Sequence, residues 1–282
     1  MSVPTSAAAT PGSPLPAAAP TAPPPTVPAP PLETIRDAGA VQHDAVRAAR
    51  WTSRGAAKVL GNVDVGSMEG SGLVSVGGTW TAQSTSISGS VEVGGAAKVA
   101  GALQLSGSAR FGGPLEAGSL EARGTLAAAG DLSSGGLVHA VGELELASGL
   151  SAERFVGEGA VTIHGGITAG SVDLILHHDS RAEFVRARVV RIARPPSLLS
   201  FPLPFGLRLA GITLPTATFS TLRIDATEAD LEGVSAEYVR ADRIRLGRDC
   251  HIARLDGTIV ARHPTAHVGP ESRSPAPYGL RR

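Results

Sequence analysis

From Val91 onward the large apolar residues and their small apolar substitutes recur at a step of six, with occasional steps of five: Val91, Ala97, Leu103, Ala109, Leu115, Leu120, Leu126, Leu132, Val138, Leu144, Leu150, Val156, Val161, Ile167, Val172. A helix repeats every 3.6 residues and a long strand every two, so neither produces this step. Within many steps a second apolar or small residue follows two places on, as in Val91/Val93, Ala97/Val99, Leu103/Leu105, Ala109/Phe111, Leu144/Leu146, Val161/Ile163 and Val172/Leu174. That is strand alternation lasting three or four residues. Glycines fall between the pairs, among them Gly101, Gly107, Gly118, Gly124, Gly130 and Gly142. Each hexad therefore reads as a short strand and a corner, with glycine expected to supply the positive φ of a sharp turn.

Strands this short cannot bury a face as a hairpin meander, but they can coil. Three sides closing a triangular turn of about 17 or 18 residues place each strand in parallel beside its counterpart one turn on. The predicted fold class is all-β, a single-stranded parallel β-helix. Its expected inward stack includes Val91, Val99, Leu103, Leu105, Leu126, Leu144, Ile163, Val172, Ile244, Leu246 and Ile252. Each large side chain so buried contributes about 1.5–3 kcal/mol.

The pattern divides the chain into six parts. Residues 1–31 are rich in proline and alanine and are expected to form a disordered, partly polyproline tail. Residues 32–57 contain enough helix formers for a linker or short capping helix, weakened by Gly39. The main β-helix is expected over 58–194, and an apolar, proline-rich insertion over 195–219. A C-terminal β-helical section follows over 220–262, with Leu222/Ile224, Val234/Ala236, Val239/Ala241, Cys250/Ile252, Leu255 and Ile259 inward. A polar tail occupies 263–282. Without the insertion the coil amounts to roughly ten turns and a rod about 45–50 Å long.

Net charge is zero and aromatic content 4%, which removes the usual grounds for nucleic-acid binding. One cysteine, Cys250, excludes an intramolecular disulfide and is expected to pack as a small hydrophobe between Leu246 and Ile252. The first twenty residues carry no basic and apolar pattern of a secretory signal, and no run of eighteen apolar residues occurs, so a cytoplasmic protein is expected.

Few residues invite a chemical reading. His177, His178 and Asp179 adjoin one another, but neighbours on a strand point to opposite faces, which disfavours a shared ion. His263 and His267 bracket Pro264, which favours a loop over a zinc-binding helical turn. Arg240, Arg243, Arg245, Arg248 and Arg254 alternate with Glu237, Asp242, Asp249 and Asp256, the pattern of a mixed-sign outer face. No catalytic, cofactor-binding or metal-binding residue is assigned. The insertion carries the apolar surface without an evident place in the stack. Leu198, Leu199, Phe201 and Phe205 are accordingly the candidate contacts with a membrane or a partner, the alternative being a lid over the coil.

The glycine-spaced repeat "VEVGGAAKVAGALQLSG" between proline-containing tails resembles the bactofilins, polymer-forming cytoskeletal proteins of bacteria, and in particular the larger, two-part variety of Gram-positive species. The interrupted segment late in the chain, the strands "VSAEYVRADRIRLGRDCHIARLDGTIV" and the closing "HVGPES" carry the likeness, which spans about residues 52–272. It implies a right-handed triangular β-helix, end-to-end assembly without nucleotide and peripheral association with the inner face of the membrane. The expected function is a non-enzymatic scaffold whose partner is first of all itself. Envelope or motility proteins would be engaged through the tails and insertion. Two alternatives stand beside it: a left-handed hexapeptide-repeat acyltransferase, which needs a committed histidine and trimeric grooves, and a capped β-helical adaptor. The residue steps fit either hand of coil.

Overall fold

The computed structural model describes residues 33–195 and 217–269. They form a parallel β-solenoid of about 13 turns, with no helix among them. The strands run β1 (Thr34–His43), β2 (Val46–Val59), β3 (Val63–Val76), β4 (Trp80–Val93), β5 (Ala97–Phe111), β6 (Leu115–Ala128), β7 (Leu132–Ser134), β8 (Leu137–Leu146) and β9 (Leu150–Ile163). They continue as β10 (Ile167–Leu176), β11 (Ser180–Ala182), β12 (Phe184–Arg186), β13 (Val189–Ala193), β14 (Phe219–Leu231), β15 (Val234–Leu246), β16 (His251–Arg262) and β17 (His267–Val268).

One turn shows how the sequence makes the coil. In β5, Ala97/Val99, Leu103/Leu105 and Ala109/Phe111 are three buried pairs, one per side, and the residues between them are exposed or half-buried. Each pair stacks on its equivalent one turn later, Ala97 on Leu115 and Leu103 on Leu120, so the core is one continuous column. Successive turns advance by 17 residues, Val46 lying opposite Val63 and Val63 opposite Trp80. Where the first corner takes an extra residue, as at Ala100–Ala102, the advance becomes 18 and the ladder slips by one place. All eleven residues of the expected inward stack, Val91, Val99, Leu103, Leu105, Leu126, Leu144, Ile163, Val172, Ile244, Leu246 and Ile252, are buried.

One corner in three uses glycine for its backbone angle. Gly39, Gly55, Gly72, Gly89, Gly107, Gly124, Gly142 and Gly159 are register partners in unbroken succession, with φ between 80° and 129°. From Gly55 onward a Cβ at any of them would also run into the carbonyl oxygen of the glycine one turn earlier. The expectation that every glycine corner needs positive φ is thereby corrected: the other two corners have no such requirement in these turns.

The coil is longer than the sequence pattern suggested. Residues 32–57, expected as a linker or capping helix, contain β1 and most of β2. Val46/Ala48, Trp51/Ser53 and Ala57/Val59 fill the three inward pairs, and this burial overrides the helix propensity of the alanines. The tail expected from 263 begins later, because Ala266 is buried and β17 adds a strand. The insertion ends earlier than 219, since Ala217 and Phe219 already belong to the core. Val156 is half-buried, Phe155 taking the inward place beside it. Leu222, expected inward, is 50% exposed, because Phe219 and Thr221 are the inward pair and Leu222 begins the next corner. Ile259 is only partly buried.

Candidate functional site

After β13 the geometry changes. Phe219 lies opposite Val234, an advance of 15 residues, and Ser235 lies opposite His251, an advance of 16. The shortening removes corner residues. Phe184, Arg223, Tyr238 and Arg254 become register partners at one corner, with the Arg223 guanidinium 5.3 Å from the centre of the Tyr238 ring. The Phe184 ring lies over Gly166, occupying the space that a side chain there would need.

The insertion leaves and re-enters at the corner that continues the glycine column, and a guanidinium holds its base. Arg194 Nε donates to the carbonyl of Ala217 at 2.7 Å, and Arg194 Nη1 donates to Asp249 Oδ2 at 2.7 Å. Thr218 N–H donates to Asp179 Oδ1 at 2.9 Å. Gly233, at φ 66°, leaves room for the guanidinium, and Asp249 adopts φ 52°. The hydrogen bond from Arg194 holds the Asp249 carboxyl below its ordinary pKa. The four candidate contacts, Leu198, Leu199, Phe201 and Phe205, lie outside the described residues.

Beside this corner runs a shallow groove of about 880 Å³ on the outer face of the third side. Arg181, Ser220, Ser235, His251 and His267 follow one another in register along it. Half-exposed Leu222 and Glu237 line the same groove. Cys250 is buried beneath, its thiol donating to the carbonyl of Leu231 at 3.1 Å, and burial pushes its pKa up. His177 and His178 are exposed in a corner, His177 lying 3.4 Å from Glu158, while Asp179 serves the insertion's base. His263 bonds Thr265 within a turn. Among the described residues, no group of three or more histidine, cysteine or acidic side chains is placed to hold a metal.

The mixed-sign outer face is ordered by the register. Arg186, Asp225, Arg240 and Asp256 are successive partners, as are Asp173, Arg191, Asp230 and Arg245. A parallel in-register stack would set like charges beside like, and the alternation avoids that repulsion.

The two ends differ. At the first, Asp37 and His43 point inward and bond each other at 2.8 Å, and the Trp51 indole donates to the same carboxylate oxygen at 2.8 Å. At the last, β17 pairs with β16 over two residues, and Val260 is half-exposed. Among the described residues no helix is long and apolar enough to cross a membrane.

The class this fold defines is the single-chain parallel β-solenoid. Compared with protein-family models, curated proteins and solved structures, the chain matches none.

Proposed function

We propose that the protein is a non-enzymatic scaffold that assembles end to end through its solenoid without nucleotide and gathers partners at the inner face of the membrane. The observation that carries this reading is the pair of open ladders. β1 pairs only with β2 along its whole length, and most of β16 pairs only with β15 among the described residues. All ladders run parallel, so the unpaired N–H and C=O groups at the outer edge of one end match those left open at the other. Head-to-tail addition repeats without closing, and the product is a filament.

Electron microscopy of the full chain without nucleotide or metal tests the proposal. Unbranched filaments one solenoid wide are expected, and uniform single rods would refute self-assembly. A capped adaptor is the second reading, favoured by the inward Asp37–His43 pair, since inward polar groups at an edge oppose strand addition. The membrane part is tested separately by sedimentation with anionic vesicles, which Phe201→Ser with Phe205→Ser is expected to abolish.

A further inference from the structure

The last two turns bring together histidines that lie sixteen residues apart in the chain. His251 opens β16, His267 opens β17, and the two are direct register partners. Both side chains are exposed, their ring centres are 5.2 Å apart and the planes tilt by 34°. Among the described residues neither ring is engaged by a hydrogen bond or an ion pair, so all four ring nitrogens remain available. Neighbouring strands lie about 4.8 Å apart, and two outward side chains in register reach the same patch of solvent.

Zinc takes imidazole nitrogen at about 2.0–2.1 Å in a tetrahedron, which separates two such nitrogens by roughly 3.3 Å. Exposed rings on adjacent strands reach that separation by rotating about the Cβ–Cγ bond, a soft torsion. Glu183 and Glu237 line the same groove against one guanidinium, Arg181, so its carboxylates outnumber its fixed cations and favour a cation there. The neighbouring carboxylate of Asp249 is already held by Arg194. The other histidine combinations lack this placement: His177 and His178 are consecutive in a corner, and His263 is tied to Thr265.

We propose that His251 and His267 together bind a divalent zinc-class ion on the outer face of the last turn, with water completing the coordination shell. The ion bridges β16 and β17, whose pairing otherwise consists of His251 with His267 and Ile252 with Val268. It thereby fastens the final strand to the solenoid.

Calorimetric titration of the full chain with zinc chloride tests the site, together with thermal unfolding in the presence and absence of the ion. Saturable binding is expected, with a rise in the unfolding midpoint. His251→Ala and His267→Ala each weaken binding by on the order of tenfold or more and remove the rise, while His177→Ala changes neither. Both positions are exposed, and His267→Gln, which keeps a polar side chain, is expected to lose the ion equally. Absence of saturable binding at millimolar zinc, or binding undiminished in both alanine variants, overturns the proposal.

Discussion

Gly107 sits at φ 119° directly over the carbonyl oxygen of Gly89, and Gly124 sits over Gly107 in turn. Two separate demands thus fall on one residue, a backbone angle that L side chains rarely adopt and a space already filled by backbone. Gly135 is a contrast, since a Cβ there meets nothing and its φ is not positive. Gly107→Ala is expected to destabilise by about 2 kcal/mol or more, and Gly135→Ala to stay within about 0.5 kcal/mol, both read by chemical denaturation. In the sequence the two glycines look alike, because each follows a short strand, Leu103–Leu105 before Gly107 and Leu132–Ser134 before Gly135. What separates them is which corner they occupy, and that depends on the turn length. The same is true of the histidine pair: His267 sits near His263 in the chain, but its partner His251 is found only once the sixteen-residue advance is known.

The alternating pairs of β4 to β6 were legible as strand because each side repeats the same short apolar spacing. β1 and β2 were not, since Ala48, Trp51 and Ala57 vary too much in size to show a step, and alanine favours helix where nothing else decides. Leu222 misleads for a different reason: the inward pair beside it is Phe219/Thr221, and in the shortened turns Leu222 falls on the corner that follows. The corner at Arg194 binds the two ends of the insertion to Asp249, and its pH dependence follows from the Asp249 shift. A carboxyl with a lowered folded pKa adds stability above the ordinary carboxylate range, and that stability is lost as pH falls through the lowered value. Wild-type protein is therefore expected to lose thermal stability on acidification more steeply than Asp249→Asn, as measured by unfolding midpoints across the acid range. The effect is small because the Asp249 side chain is 45% exposed.

At the scale of the molecule, about 13 turns at about 4.8 Å each make a solenoid about 60 Å long, against the roughly ten turns read from the spacing. The difference lies at both ends, where β1, β2 and β17 extend the coil. Every ladder hydrogen bond runs along the rod rather than across it. That orientation matters when the ends are pulled apart: tension along the axis loads one turn's bonds at a time and peels the coil instead of shearing it. Each turn of the first section that gives way releases 17 or 18 residues, about 55–65 Å of slack chain. The turn from Phe219 to Val234 releases 15, about 50 Å. An optical-tweezers trace of the full chain is expected to show a staircase of low-force steps, longer for the turns of the first section and shorter for those after Phe219. A single large rip would mean that the turns do not yield separately. Held in tension, such a rod lengthens by degrees and keeps the remainder of its coil intact.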